Sequence, residues 1–572
     1  MSTNLSREKR ELLLENINIM REKLQDDTNL LNSLNEIEKE LKRKKYGLVW
    51  EEHEEKIDKE IKNKIPVFEE LMELEIKKNK EGKTNFILEG DNLHSLYLLE
   101  KTHKNKVDLI IIDPPYNRGL NDFVYDDNYI DKTDSFKHSK WISFMNKRLI
   151  IAKKLLKDNG AIFINIDDNE FAQLKLLCDD IFGEENFISC FPWHNRTSVQ
   201  NDTDISINHE YIIAYAKKRR KTNRRLKASN KDEWYSLNDF VIQPKETDSS
   251  KYSNPDNDPR GLWKADPFDA PNVRPNLTYE IQNPVTGITY MPPKGRCWRT
   301  EPEKYQKLLE DNRIVFGKNG NSKPQLKVFY NEVKMKGEIR NSWFDSDVYY
   351  TSTEGKKEFL SILPDKKIFN TPKPVNLYKE IIKMAISPMQ KDPVILDFFA
   401  GSGTVAQAVL EELGGKNAQF ILCNSNESNI CKEITYERAK RVIEGYKNSK
   451  GYNVQGIESN LKYYKVKYIE KNNNEDEGYY IVNELSKYAR ELAQLEYADD
   501  IKNEKIKILY SDEEIDNFAN NPESLNKCKI IFLDNNALIT EEQIEKFEKN
   551  NIQIFYIPDY YFENEIMEVE QW

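Results

Sequence analysis

The sequence predicts an α/β chain built on a doubly wound, mostly parallel sheet, with a helical N-terminal region, an inserted domain and a small C-terminal α/β domain. Three observations carry this. Uninterrupted apolar runs end abruptly in polar or glycine residues, as in FILEGD, VDLIIIDPPY, GAIFINIDD and PVILDFFAGSGT. Amphipathic stretches such as WISFMNKRLIIAKKLLKDNG, NLYKEIIKMAI and VAQAVLEELGG alternate with them. Strands without polar alternation, separated by helices, belong to a parallel sheet covered on both faces. Finally, two such clusters are separated by a stretch rich in Pro, Gly, Trp and Tyr, whose texture is that of short strands and turns.

In order along the chain, residues 1–80 read as helical and highly charged. Leu30, Leu34, Ile37 and Leu41 form one apolar stripe at heptad-like spacing, suited either to packing on the same domain or to a second chain. Residues 81–221 form the first half of the core, 222–370 the insert, 371–454 the second half and 455–572 the C-terminal α/β unit. Just before the insert runs AKKRRKTNRRLKASNK, the densest basic segment. Lys217, Lys218, Arg219, Arg220, Arg224 and Arg225 there are the natural candidates for phosphate contacts.

Composition narrows the classes. The chain has 572 residues with 86 Lys+Arg against 97 Asp+Glu, a net charge of −11 that argues against indiscriminate coating of nucleic acid but allows a local basic groove. No run approaches the roughly 20 apolar residues of a membrane helix. The charged start MSTNLSREKRELLLEN lacks a signal core, so a cytoplasmic protein is expected. Six scattered cysteines without a C-x-x-C fit a reducing compartment and no structural metal site.

Ligands of such sheets sit beyond the carboxyl ends of the strands. Asp91, Asp113, Asp167 and Asp397 all fall at or just after such ends. Asp113-Pro114-Pro115-Tyr116 is the most informative. The exocyclic amine of adenine is a poor nucleophile because its lone pair is delocalised into the ring. A carboxylate and a backbone carbonyl that each accept one N–H favour a pyramidal nitrogen with a free lone pair. Asp113 supplies the first and Pro114 the second. Consecutive prolines stiffen the turn and remove competing donors, and Tyr116 offers a face for stacking. The second motif, Asp397-Phe398-Phe399-Ala400-Gly401-Ser402-Gly403-Thr404, is a strand–turn–helix junction whose glycines let backbone approach a ligand. It has neither GxGxxG spacing nor a P-loop lysine. It suits a cationic, amino-acid-bearing nucleoside, of which S-adenosylmethionine is one.

With these residues in view the chain resembles amino-methyltransferases of DNA with the beta-group motif order, catalytic motif first. The text around the motifs resembles the modification (Mod) subunits of type III restriction systems. Tyr46 to Glu51, Glu89 to Leu96, His138 to Trp141, Ile166 to Glu170, His209-Glu210-Tyr211 and Lys373-Pro374 carry that resemblance. It implies a Rossmann-like methyltransferase fold and transfer from S-adenosylmethionine to N6 of a flipped adenine in double-stranded DNA. Aspartate at the first motif position is typical of adenine-N6 enzymes. The resemblance also implies a homodimer, a possible helicase–nuclease partner and a target-recognition role for the insert. By position it places Asp91 near the cofactor adenine, Lys373 beside the cofactor, Phe399, Gly401 and Gly403 along its methionine and ribose, and Asn424 at the ribose. Asp397, Ala400, Ser402 and Thr404 complete the loop. A cytosine-N4 or RNA-amino methyltransferase, and a recognition scaffold with secondary methylation, are the alternatives.

Overall fold

The computed structural model describes residues 5–570 except 24–27, 43–49, 80–81, 120–122, 126–127, 132, 200–202, 219–241, 245–248, 318–319, 336, 367–371, 387–389, 415–416, 472–476 and 499–504. Contacts divide the chain into two units, residues 238–341 and the remainder.

The larger unit is organised by a ten-stranded sheet. Its main strands are β1 (Lys64–Glu70), β2 (Thr84–Glu89), β3 (Val107–Ile112), β4 (Leu156–Ile166), β5 (Phe187–His194), β6 (His209–Ala216), β7 (Val394–Asp397), β8 (Gln419–Asn424) and β9 (Asn460–Glu470), in the spatial order β1-β9-β2-β8-β7-β3-β4-β6-β5. The short strand Ile76–Lys77 also pairs with β9. The central pairings from β9 to β4 are parallel, and the margins (β1 with β9, β4 with β6, β6 with β5) are antiparallel. Every residue of β2, β3 and β7 is buried, as their largely apolar text leads one to expect. The helices Asn92–His103, Lys137–Leu155 and Phe171–Phe182 pack with one core, and Val375–Ala385, Thr404–Leu413 and Glu437–Glu444 with the other.

The structure corrects several boundaries. Residues 64–70 are not part of a helical region but an edge strand. KYYKVKYI, assigned to the C-terminal unit, is β9 and lies inside the main sheet. β6 was not anticipated. The second compact unit starts at 238 and ends at 341, so the helices Ser346–Tyr349 and Ser352–Ile362 belong with the core, not the insert. Within 238–341 an apolar cluster of Phe268, Ile281, Trp298, Tyr305, Ile314 and Phe316 is built on two- and three-stranded antiparallel sheets. There Lys327, fully buried, is neutralised by Asp256 and Asp258.

The N-terminal helices Leu5–Lys23 and Thr28–Lys42 pack together, with an Arg21–Glu38 pair at 2.7 Å. Of the predicted stripe, Leu34 is buried whereas Leu30 and Ile37 are half exposed; the side chain of Leu41 lies outside the described residues. The C-terminal unit has a parallel three-stranded sheet, Ile506–Leu509, Ile530–Asp534 and Gln553–Ile557. Among the described residues no helix is long and apolar enough to cross a membrane, and the six cysteines are free thiols.

Two histidines on the helix Asn92–His103 make the core acid-sensitive. Burial pushes His103 down to about 3 and His94 to about 4. A base whose folded pKa is depressed stays neutral in the native state while the unfolded chain takes up its proton. Stability is therefore full above the unfolded value, near 6.5, and declines as the pH falls from there toward 4. Thermal midpoints measured across that window should fall for the parent, and His103→Gln should flatten the decline.

Candidate active site

Four adjacent strands, β2, β8, β7 and β3, bring their carboxyl ends together. Asp91 follows β2, Asn424 ends β8, the glycine loop follows β7 and Asp113 follows β3. The two motifs, far apart in the chain, are thus neighbours because β3 pairs directly with β7.

A cavity of about 380 Å³ opens at this junction, lined by Asp91, Asn92, Pro115, Phe123, Phe144, Phe398, Phe399, Asn424 and Glu427 and closed on one side by Glu55, Lys56, Ile57 and Glu60. Its chemistry is acidic and aromatic, which fits a cationic nucleoside. Asp91 caps the helix Asn92–His103, accepting from the Leu93 N–H at 2.7 Å. Arg148, fully buried, ties the N-terminal segment to this wall. Its guanidinium donates to Glu55 at 3.0 and 3.2 Å, to Asn92 at 2.5 Å and to Asp91 at 3.2 Å, and lies 3.6 Å from the Phe144 ring centroid. Asn424 is a wall residue that donates to the Gly401 carbonyl at 3.2 Å and to Thr435 at 3.0 Å.

The glycine loop is a scaffold more than a lining. Phe399 reaches the cavity, while Ala400, Ser402, Thr404 and Asp397 are buried behind it. Burial pushes the Asp397 carboxyl well above its ordinary range, and the Phe399 N–H it accepts at 2.9 Å offsets this only in part. Gly403 has φ +72° at the helix N-cap, and an added Cβ would stand 3.1 Å from the Thr435 carbonyl oxygen, so glycine is required there. The loop rests on Arg438, which is wholly buried. It donates to the Ser402 carbonyl at 3.2 Å, to the Thr404 hydroxyl at 2.7 Å and to Gln407 at 3.0 Å. Burial lowers Arg438 to about 10, which leaves it charged at neutral pH.

The catalytic corner differs from expectation in two respects. Lys373, placed beside the cofactor by the sequence reading, is not among the cavity residues. It is buried, and its ammonium donates to both oxygens of Asp113 at 2.8 and 3.0 Å and to the Tyr116 hydroxyl at 2.9 Å, with Glu210 at 3.4 Å. Burial alone would depress this lysine. Asp113 and Glu210 outweigh it and hold the ammonium above its usual range. Nor is Tyr116 an open stacking platform. Its ring is buried, with the Arg118 guanidinium 4.7 Å from its centroid. Burial, then Asp113 and Glu210, keeps its phenol protonated, and it donates to Asp113 at 2.8 Å, with a Glu210 oxygen 3.2 Å away. Arg118 is held by Asp167 at 2.6 Å and by Glu210 at 3.4 Å. Pro114 and Pro115 stiffen the turn, and the buried Trp141 indole donates to the Pro115 carbonyl at 2.7 Å. His138 bonds Glu170 at 2.7 Å, away from the reacting corner. A second cavity of about 610 Å³ lies beside this corner, lined among others by Arg118, Asp167, Arg196, His209, Glu210 and Lys356.

The basic run is corrected where it can be seen. Lys217 and Lys218 follow the end of β6, which runs antiparallel to β4, so they sit at the sheet edge opposite Asp113. β3 has six residues, so the two edges are about 20 Å apart at ~3.3 Å per residue. Both ammoniums are committed there, Lys217 to Asn105 and the Leu156 carbonyl and Lys218 to Asp158. Arg219, Arg220, Arg224 and Arg225 lie outside the described residues. Sequence reasoning missed Arg438, Arg148 and the wall at 55–60, and it noted Glu210 only as part of a resemblance.

Comparison with known proteins agrees with the geometry. A family model described as DNA methylase matches residues 107–471. The chain is 38% identical to the Mod subunit of the type III restriction-modification enzyme StyLTI of Salmonella typhimurium, over 63% of this chain and 57% of that protein. It is 29% identical to the EcoP15I Mod subunit of Escherichia coli, over 60% and 58%, and 33% identical to the type II methyltransferase M.KpnI of Klebsiella pneumoniae, over 66% and 90%. The chain thus spans somewhat over half the length of the two Mod subunits.

Proposed function

The chain belongs to the DNA methylase family, and from that premise we propose that it methylates N6 of adenine in double-stranded DNA, using S-adenosylmethionine, as the modification subunit of a type III restriction system. The single observation that carries the reaction is the junction of β3 and β7, which puts the Asp-Pro-Pro-Tyr turn on the rim of an acidic, phenylalanine-lined cavity. Asp91, Glu427 and Asn424 would hold the cofactor, with Phe144 and Phe399 against its rings. When bound, S-adenosylmethionine would supply an electrophilic methyl group with a neutral thioether as leaving group, and the proton shed by the methylated amine would pass by way of Asp113 to solvent.

The remaining work is the chain's own. The larger cavity, with Arg118, Arg196 and Lys356 on its walls, receives the extruded nucleotide. Asp113 and the Pro114 carbonyl accept the two N–H bonds of the amine. Because Trp141 occupies the Pro115 carbonyl, the turn is fixed by a bond that does not compete for the base. Catalysis is positioning and acceptor placement, without a covalent enzyme intermediate. Unit 238–341 reads sequence, a second copy of the chain pairs with the first, and a helicase–nuclease chain supplies cleavage.

The test is product analysis. Plasmid DNA incubated with the chain and methyl-tritiated S-adenosylmethionine should yield N6-methyladenine on nucleoside digestion, and modification-sensitive long-read sequencing should place it in one motif. N4-methylcytosine, or site-specific binding without label, would overturn this reading.

A further inference from the structure

Lys373 and Glu210 form an arrangement that the methyl-transfer scheme so far leaves without a task. A buried ammonium is costly unless it is paired, and this one is seated with care. The backbone at 372–374 passes so close to Gly355 that an added Cβ there would stand 2.5 Å from the Pro372 carbonyl oxygen and 3.0 Å from the Lys373 carbonyl carbon. Just beyond it, Glu358 accepts the Val375 N–H at 3.0 Å, which fixes the start of the helix Val375–Ala385. The seat delivers the ammonium between two carboxylates from different strands, Asp113 after β3 and Glu210 in β6.

The charged and titratable groups facing Lys373 are Asp113 and Tyr116 from the catalytic turn, Glu210 from β6 and Arg118. Asp397 at the end of β7 and Tyr378 on the helix Val375–Ala385 complete the set through Asp113. Carboxylates outnumber cations in it. A carboxylate that must accept an N–H from the amine has to be ionised, and one lone pair has to be turned toward the base. Lys373 meets both needs by binding the two Asp113 oxygens, and Tyr116 adds a third donor.

Resting on the methyl-transfer reading, we propose that Lys373 and Glu210 are positioning residues for the reaction: Lys373 holds the Asp113 carboxylate in its accepting state and orientation, and Glu210 holds Lys373. Without the ammonium, Asp113 and Glu210 face one another through the Tyr116 hydroxyl. Removing the Glu210 charge as well relieves that repulsion, with Arg118 left as the neighbouring cation.

The experiment is single-turnover methylation of a duplex carrying the mapped site, by the full chain and by Lys373→Met, Glu210→Gln and the double variant. Circular dichroism and S-adenosylmethionine calorimetry run alongside. Lys373→Met should lose roughly 10²-fold in rate with cofactor affinity and DNA KM near parental. The double variant should recover roughly tenfold of the loss. A parental rate for folded Lys373→Met, or equal inactivity of the single and double variants, overturns the proposal. Should Lys373→Met not fold, Glu210→Gln decides: a several-fold fall in rate at unchanged KM supports the positioning role, and a parental rate overturns it. A parent that methylates no duplex overturns the methyl-transfer reading itself, and this inference falls with it.

Discussion

Alanine at Asp113 should cut methyl transfer by about 10²- to 10⁴-fold, the range lost when a single proton-accepting or charge-stabilising group is removed from a reacting centre. The carboxylate is anchored by Lys373 and Tyr116. Its removal leaves the walls of the cofactor cavity intact, since Asp91, Phe399, Asn424 and Glu427 are positioned by other strands. Calorimetric binding of S-adenosylmethionine should therefore survive while label incorporation is lost. Asp113→Asn separates shape from charge: the amide fits the same space but turns a donor toward Lys373 or toward the amine, and it should be nearly as inactive. Full activity of either variant would remove Asp113 from the reaction.

The second large effect is expected at a residue outside both motifs. Arg438→Met keeps side-chain length but withdraws every donor that Arg438 gives to the Ser402 carbonyl, Thr404 and Gln407. Buried acceptors left without partners cost about 1–3 kcal/mol each, and some of these can re-pair, since Ser402 and Thr404 already bond one another at 3.0 Å. A loss of roughly 2–4 kcal/mol is expected, visible as a lower denaturation midpoint. The glycine loop would shift with it. A displacement of about 1 Å at a reacting centre can cost 10²-fold in rate, so kcat/KM should fall by about that factor, with weaker cofactor binding as the main cause. If the variant binds cofactor as the parent does, Arg438 supports the fold but not the site.

The two motifs were legible because both answer local backbone demands. A double proline just after a mostly apolar strand reads as a stiff turn, and Gly403 sits where a left-handed residue must enter a helix. Residues whose meaning depends on distant partners were not legible. Nothing near Lys373 announces that its ammonium meets Asp113, because the packing of the helix Val375–Ala385 on β3 is not written in the local text. Arg438 looks like an exposed helix arginine until the helix is seen lying on the glycine loop. The position of the basic run at 217–218 was hidden for the opposite reason. Charge density is visible in text, but the reversal of β6 against β4, which carries those lysines to the far edge, is not.

The flank of the sheet beyond β8 limits how far the polypeptide can be trimmed. β2 is covered by β9, drawn from beyond the last motif, and β9 is covered by β1, drawn from before the first. The two motifs are thus clasped by segments that look like flanking sequence. A fragment trimmed to the motif-bearing text would leave β2 with bare amide and carbonyl groups along a hydrophobic rim, a template for self-association. The smallest portable body therefore runs past β9 and takes in the helix Glu477–Tyr497, whose Ile481, Leu485, Ala489 and Leu492 belong to the same core.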